Sequence, residues 1–224
     1  MTAWSPTSND ALLVIDMQRD FLPGGALAIS GGDAILPGIN SVASRFQHVI
    51  LTQDWHPRGH ISFSSTHQNR TPSGQTPSLT PEGRLILHTP YGVQELWPDH
   101  CVQGTAGAEF HPGLAIPHAE LILRKGLHPK IDSYSAFMEN DHQTPTGLAG
   151  YLRERGIARL FFSGVAYDFC VGFSAVAAAR SGFESIVIED LTRAIDLPNT
   201  VRSINAAFTD TGVARIHSAS LVLA

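Results

Sequence analysis

The chain has 224 residues, 43% of them hydrophobic and 16% charged, and its formal net charge at pH 7 is -5. This length and composition are ordinary for a soluble globular protein, and they suit one large domain with a full core. Lys and Arg together number only 15, which argues against a nucleic-acid-binding surface, because such a surface needs a clustered basic face.

Cysteine usage and the N-terminal residues bear on the cellular compartment. The two cysteines, Cys101 and Cys170, are not closely spaced, so we expect no disulfide framework. The N-terminal stretch MTAWSPTSND lacks the positive and apolar regions of a signal peptide. No apolar run is long enough to cross a bilayer. We therefore expect a reduced, cytoplasmic protein without a membrane partner.

Short apolar runs alternate along the chain with longer segments that suit helices. Strands are predicted at 11–15, 48–52, 120–123, 160–165, 185–188 and 214–216, and helices at 33–46, 144–155, 171–179 and 197–210. Asp33 is expected to cap the first helix and Thr144 the second. The alternation implies a mainly parallel sheet with helices on both faces. We predict a single α/β domain over residues 1–224, doubly wound and Rossmann-like, with a six-stranded sheet.

A long stretch interrupts this pattern at about 53–117. It is rich in Pro, Gly, Ser, Thr and His, and it is too long for an ordinary connection between two elements. Stretches of this length are usually functional or disordered. Its aromatic residues and paired histidines favour a functional insert that contributes metal and substrate contacts.

Three chemically active residues, Asp16, Lys125 and Cys170, follow directly on predicted strands. The carboxyl ends of parallel strands meet at one edge, so these distant positions can converge. A nucleophilic thiol needs a base, which Asp16 can supply, and the Lys125 ammonium can stabilise both anions. Cys170 also precedes a predicted helix, whose dipole should lower the pKa of the thiol. Each residue taken alone could be structural or solvated, and only their joint placement favours catalysis.

A second group of residues has the character of a metal site. Asp54 and His56 are separated by one residue, which on an extended segment points both side chains the same way, and His100 comes from the same insert. A carboxylate with two imidazoles suits a divalent Zn, Mn or Fe ion and leaves open positions for water or substrate. Spacing alone does not distinguish these residues from the other histidines of the insert. We expect three of those to be surface or loop-packing residues, namely His67, His88 and His111.

Five short motifs resemble a known family. The strings DMQRDF at 16–21, KG at 125–126 and GVAYDFCV at 164–171 are similar to the three signatures of the isochorismatase-like cysteine hydrolases. The strings TQDWHP at 52–57 and WPDHCVQGT at 97–105 resemble the nicotinamidase/pyrazinamidase branch of that family. The resemblance runs from about residue 11 to residue 219, with the motifs in the family's order.

The resemblance implies a catalytic triad of Cys170, Asp16 and Lys125. It also implies a cis peptide bond between Val165 and Ala166. That bond would aim the N–H groups of Ala166 and Cys170 at a developing oxyanion, so these two residues would form the oxyanion hole.

The resemblance further implies one divalent metal ion, Zn, Mn or Fe, held by Asp54, His56 and His100, with His60 as a further candidate ligand. In that family the metal binds the pyridine nitrogen of nicotinamide, which is hydrolysed to nicotinate and ammonia in NAD salvage. Pyrazinamide is a related small-molecule substrate. The residues expected to contact the substrate are Phe21, Trp97, Tyr134, Val165 and Ala166.

Two residues beside the expected nucleophile depart from the family pattern. Tyr167 stands where relatives often have Thr, and Phe169 stands where some have His. We expect these departures to alter the shape of the pocket and to leave the triad unchanged.

Three other functions remain open at this point. A sister hydrolase could act on an N-carbamoyl or isochorismate-like substrate, although those relatives generally lack the metal ligands. A catalytically silent metal-binding or regulatory protein could share the fold, although nothing structural requires Asp16, Lys125 and Cys170 together. A thiol redox role would need a resolving cysteine near Cys170, and the sequence does not place Cys101. A homo-oligomer is also left open, because no decisive apolar surface stripe is visible.

Overall fold

The structure is a computed structural model that describes residues 4–67 and 76–222. Within these ranges no helix is both long and apolar enough to cross a membrane. The helices are α1 (Leu36–Ala43), α2 (Leu148–Glu154), α3 (Gly172–Arg180) and α4 (Thr200–Thr211). The strands are β1 (Asp10–Ile15), β2 (His48–Asp54), β3 (Ser78–Leu79), β4 (Leu85–Thr89), β5 (Gly92–Glu95), β6 (Leu121–Lys125), β7 (Arg159–Val165), β8 (Glu184–Arg193) and β9 (Ala214–Ile216).

Six of these strands form one parallel sheet in the order β6-β2-β1-β7-β8-β9. The order reverses between β1 and β7, because the chain first runs outward from β1 to β6 and then outward from β7 to β9. Right-handed crossovers on the two sides of such a switch point place their helices on opposite faces. The sheet confirms the predicted doubly wound α/β fold.

The core is centred on the two middle strands. Leu12 and Leu13 of β1 lie in register with Phe161 and Phe162 of β7, and all four side chains are completely buried. Both strands are continuous apolar runs because both faces of a doubly wound sheet are covered. α3 packs on β8 and on α4. The switch point between β1 and β7 therefore lies at the centre of the core.

Three strands run further than the sequence predicted, among them β8, which was predicted at 185–188 and spans Glu184–Arg193. β2 continues to Asp54 and β6 continues to Lys125, and these two residues are partners in the sheet register. Polar residues stand at these strand ends, so the apolar pattern predicts that the strands stop earlier. Hydrogen bonds between neighbouring strands nevertheless keep the backbone extended, whatever the polarity of the side chains. As a result, Asp54 and Lys125 are the last residues of adjacent strands.

All four helices begin later than predicted, α3 by one residue and α4 by three, while α1 and α2 follow turns that the sequence did not predict. The N–H and hydroxyl groups of Thr144 donate to the Asp141 carboxylate at 2.9 and 2.7 Å, so Thr144 belongs to a turn and does not cap α2. The left-handed Gly147, with φ of 93°, then precedes the first helical residue. Asp33 lies inside a 3-10 turn over Asp33–Ile35, which leads into α1, so it does not cap that helix.

The long insert contains a second sheet that the sequence analysis missed. β3, β4 and β5 form an antiparallel sheet, in which β4 and β5 make a hairpin with Thr89 opposite Gly92. The three strands are short and much of their surface is exposed, so they carry little apolar periodicity. Residues 68–75 of the predicted insert lie outside the described residues.

We expect the substitution Asp10→Asn to destabilise the fold. Arg159 donates to both carboxylate oxygens of Asp10 at 2.8 and 2.6 Å, and Asp10 is almost completely buried. An amide cannot accept both guanidinium hydrogen bonds, so the free energy of unfolding should fall by about 1–3 kcal/mol in urea titrations. In the control Glu189→Gln, which removes an exposed ion pair with Arg215 at 3.5 Å, the loss should be below about 1 kcal/mol. Equal losses in the two variants would contradict this account.

Candidate active site

Cys170 lies on a tight turn that follows β7. β7 ends at Val165, and the Val165–Ala166 peptide bond is cis, as the family resemblance implied. The turn Tyr167–Val171 is a π-helix that runs directly into α3. The Ala166 carbonyl accepts two N–H groups of this turn at 3.0 and 3.1 Å. Cys170 was expected just before the helix, whereas it lies inside the helical turn that opens it.

The ends of β1 and β7 approach each other closely at Gly164. This residue pairs with Ile15 and has φ of 106°, and a Cβ added here would lie 2.1 Å from the Ile15 carbonyl oxygen. Only glycine fits such a position. The close approach brings Asp16, after β1, opposite Cys170, and an Asp16 carboxylate oxygen lies within 4.8 Å of the Cys170 sulfur.

Lys125 connects the predicted catalytic residues. Its side chain is completely buried, and Nζ lies 2.9 Å from Asp16 Oδ2 and 3.4 Å from Cys170 Sγ. Nζ also donates to Asp54 Oδ1 and, at 3.0 Å, to the Ser133 carbonyl. The structure thus brings all three predicted triad residues together, with the ammonium between two carboxylates and the thiol.

Burial and the neighbouring charges shift the pKa values of Lys125 and Cys170. Burial acts to lower the pKa of Lys125, but Asp16, Asp54 and Cys170 outweigh it and raise that pKa well above its usual value. Burial raises the pKa of Cys170 well above its usual value, and the two carboxylates add to this effect against the opposing ammonium. The expectation that the Cys170 thiol has a lowered pKa is not met, because burial raises that pKa and the two carboxylates, Asp16 and Asp54, add to the shift.

Within the described part of the chain, one carboxylate oxygen of Asp16 accepts a hydrogen bond, and the other does not. Thr52 Oγ1 donates to Asp16 Oδ1 at 2.5 Å and accepts the Asp16 N–H at 3.1 Å. Asp16 Oδ2 forms an ion pair with Lys125. Among the described residues, no donor is aligned to make a hydrogen bond to this oxygen. Burial raises the pKa of Asp16, with Lys125 opposing and Asp54 adding to the shift. This oxygen is the natural acceptor for the proton of the neighbouring thiol.

The three predicted metal ligands also converge. Asp54, His56 and His100 are buried, and one ligand atom from each lies within 4.8 Å of the others. His56 Nε2 lies 3.5 Å from Asp54 Oδ2, and His100 Nε2 lies 3.9 Å from the same oxygen. The Nδ1 atoms face the carbonyls of Gly126 at 3.0 Å and Pro98 at 2.8 Å. Each ring can therefore donate at Nδ1 and present a bare Nε2, the arrangement that histidine ligands of divalent metals adopt.

Asp54 belongs to both clusters. Its Oδ1 accepts from Lys125, while its Oδ2 faces His56 and His100. Burial acts to raise the pKa of Asp54, but Lys125 and the two histidines outweigh it and lower that pKa below its usual value. A permanently ionised carboxylate is what a divalent cation requires.

His60 lies beside this set and is engaged elsewhere. Its ring stacks on His56 with centroids 4.1 Å apart, and its Nδ1 lies 2.7 Å from Ser62 Oγ. Burial and the neighbouring His56 lower the pKa of His60 to about 4. His60 groups with His56 and Asp132, and it is not part of the cluster formed by Asp54 and His100.

Two residues of the first motif position these ligands, and the sequence analysis assigned them no role. The Gln18 side chain accepts the Asp54 N–H at 2.8 Å and donates to the Asp54 carbonyl at 2.7 Å. Asp20 Oδ2 accepts a hydrogen bond from the N–H of Cys101 at 2.7 Å. This bond fixes the backbone of Cys101, which is left-handed and directly follows His100. The signal available in the sequence was the place of Gln18 and Asp20 in the DMQRDF motif at 16–21, which also contains Asp16.

A small cavity joins the two clusters and is lined by both Cys170 and the three predicted metal ligands. The predicted walls Phe21, Trp97 and Tyr134 line it, as does Ala166, whereas Val165 is completely buried and does not line the cavity. Part of the lining was not predicted, because Leu27, Asp132 and Ile195 lie on loops whose path the sequence does not reveal, whereas Phe169 was expected only to alter the shape of the pocket. The lining residues that the sequence analysis did not assign to substrate binding are Leu27, Asp132, Phe169 and Ile195.

Comparison with known proteins gives a consistent result. Residues 10–218 match the isochorismatase domain. The chain is 47% identical over 216 residues to the nicotinamidase of Acinetobacter baylyi, covering 96% of both proteins. It resembles PnC1 of L. infantum, solved in complex with nicotinate, with a TM-score of 0.82 and 41% identity over 99% of this chain and 100% of that one. The pyrazinamidase of Pyrococcus horikoshii, solved in complex with zinc, gives a TM-score of 0.72 and 31% identity, covering 93% and 99%. Since these matches span nearly the whole chain, the protein belongs to the isochorismatase domain family and, within it, to the nicotinamidase group of amidohydrolases.

Proposed function

We propose that this protein is a metal-dependent amidase that hydrolyses nicotinamide to nicotinate and ammonia in NAD salvage, through a thioester on Cys170. The observation that carries the proposal is the single cavity onto which both Cys170 and the cluster of Asp54, His56 and His100 open. A relative that binds nicotinate at 41% identity supports the choice of substrate.

The first half of the reaction forms the thioester. Asp16 takes the proton of the Cys170 thiol, and the thiolate attacks the carboxamide carbon. The N–H groups of Ala166 and Cys170 bind the oxygen that becomes negatively charged. The C–N bond then breaks, and Asp16 returns the proton to the departing nitrogen, which leaves as ammonia.

The second half regenerates the thiol. A water molecule attacks the thioester carbonyl, with Asp16 again accepting a proton, and the C–S bond breaks as Asp16 protonates the Cys170 sulfur. The acid that leaves gives its remaining proton to solvent and becomes nicotinate. Throughout both halves Lys125 stays charged 2.9 Å from Asp16 and 3.4 Å from the sulfur. Its role is to stabilise whichever of the two groups is the anion at a given step.

Asp54, His56 and His100 fit a divalent Zn, Mn or Fe ion, because they offer one carboxylate oxygen and two bare Nε2 atoms in a buried cluster. When bound, the metal would ligate the pyridine nitrogen of the substrate and so orient the carboxamide toward Cys170. The zinc complex of a relative with 31% identity supports this assignment. Phe21 and Trp97 would hold the faces of the ring. Pyrazinamide has the same ring size and carboxamide, so we propose that it is also a substrate.

We expect Cys170→Ala to lower kcat for ammonia release from nicotinamide by more than about a thousandfold, because no other group can form the thioester. The matched control is Cys101→Ala, which removes the other buried thiol and should retain turnover within about tenfold. Circular dichroism and zinc content should be unchanged in both variants. Turnover by the Cys170 variant at the wild-type rate would eliminate the mechanism.

Removal of the metal should abolish turnover reversibly. Chelation should stop ammonia release, and adding Zn, Mn or Fe should restore it. His100→Ala should lower metal affinity by more than about a hundredfold and raise KM, since it removes a ligand and not merely an outer-shell partner. His88→Ala, which changes an exposed histidine, is the matched control and should behave like the wild type. Normal metal content and normal KM in the His100 variant would refute this ligand assignment.

A further inference from the structure

The turn that carries Cys170 is held by contacts outside the catalytic cavity. It is a π-helix over Tyr167–Val171, a rare form of helix that often occurs at functional sites. Phe169 and Cys170 line the cavity, whereas Tyr167 is not among the described residues that line it. The expectation that Tyr167 alters the shape of the pocket is therefore not met, and its side chain has a different contact.

The side chain of Tyr167 contacts α4. Its hydroxyl donates to Asn205 Oδ1 at 2.5 Å, and its ring packs edge-to-face on Phe208 with centroids 5.7 Å apart. Tyr167 is 8% exposed, and burial raises its pKa, so the phenol keeps the proton that it donates. Threonine, which relatives often have at this position, has a side chain several bonds shorter that would not reach Asn205. The contact is therefore a feature of this chain's own sequence.

Asn205 is oriented to accept this hydrogen bond. Arg215 Nη1 donates to the same Asn205 oxygen at 3.3 Å, and the Arg215 guanidinium also pairs with Glu189 at 3.5 Å. Two donors at one oxygen fix the amide with its oxygen, and not its nitrogen, toward Tyr167.

The helix α4 meets the chain on both sides of Cys170. Before Cys170, Tyr167 is bonded to Asn205. After Cys170, Gly172 lies so close to Ile204 that a Cβ added to the glycine would be 2.3 Å from Ile204 Cγ1. The backbone that carries the thiol is thus held against one helix at two points.

We infer that Tyr167 is a positioning residue for Cys170: its bond to Asn205 holds the turn where the sulfur meets the proposed base and the ammonium. The sulfur lies 3.4 Å from Lys125 Nζ and within 4.8 Å of an Asp16 carboxylate oxygen. A displacement of about 1 Å in such a site can lower the rate by about a hundredfold. This inference rests on the proposed amidase function, and it deepens that function by naming a residue outside the cavity that governs thioester formation.

The test measures Tyr167→Phe, Asn205→Ala and the variant that combines them, each loaded with zinc. Both single changes remove the same hydrogen bond. Each should lower kcat for nicotinamide by about tenfold, with KM and the calorimetric Kd of nicotinate within about twofold of the wild type, because the cavity lining is unchanged. The combined variant should lose no more than either single variant, since only one bond is removed.

Two further variants are the controls. Asn205→Asp keeps an acceptor oxygen for Tyr167 and should retain kcat within about twofold. Thr209→Ala removes a hydroxyl that donates to the Asn205 carbonyl within α4 at 3.1 Å, and it should also behave like the wild type. A fall in kcat in Thr209→Ala equal to that in Tyr167→Phe would show a general effect of α4 stability and would overturn the inference.

The rate at which iodoacetamide alkylates Cys170 is the second readout. It is measured with Cys101→Ala in every variant, so that Cys170 is the only thiol. The rate should fall severalfold in Tyr167→Phe and in Asn205→Ala, because the thiol is displaced from its base. Unchanged kcat and alkylation rates in both, or losses that multiply in the combined variant, would overturn the inference. Absence of nicotinamide turnover in the wild type would reject the proposed function, and the alkylation rates would still decide the role of Tyr167.

Discussion

The buried ammonium of Lys125 is the interaction on which the rest of the site depends. It lies between Asp16 and Asp54 and against the sulfur of Cys170, and each of these groups is almost or completely buried. Two buried carboxylates beside a thiol would be strongly unfavourable without a cation, and breaking such a pair typically costs about 3–5 kcal/mol. Lys125 therefore makes it possible for the proposed general base, Asp16, and the proposed metal ligand, Asp54, to lie side by side.

The sheet supplies this arrangement because its switch point brings several strand ends together. Asp16 and Cys170 follow the two strands that flank the reversal, while Asp54 and Lys125 end the next two strands on one side. Asp54 links the proposed nucleophile, Cys170, to the proposed metal site, because one of its oxygens meets Lys125 and the other meets the histidines. The insert completes the site by bringing in His100, and the backbone of Cys101 pairs with that of His56 at 3.0 Å.

The fold and the residues that meet at the candidate site could largely be predicted from the sequence. The contacts that position those residues, and the pKa of Cys170, could not. Asp16, Lys125 and Cys170 were found because a polar residue at the end of a buried parallel strand is a strong local signal. The roles of Gln18, Thr52 and Asp20 depend on hydrogen bonds to residues far away in the chain, which no spacing reveals. The pKa of Cys170 was misjudged because the sequence shows a helix start nearby but not the burial and the second carboxylate.

The most direct test of the account is a crystal structure of the zinc-loaded Cys170→Ala variant with nicotinamide, using anomalous scattering to locate the zinc. We predict zinc bound by Asp54, His56 and His100, with the pyridine nitrogen on the metal and the carboxamide carbon facing the Cβ of residue 170. Zinc bound instead by His60 and Asp132, or a ring bound with its carboxamide away from residue 170, would contradict the central claim. In that case the nucleophile and the metal would not act on one substrate.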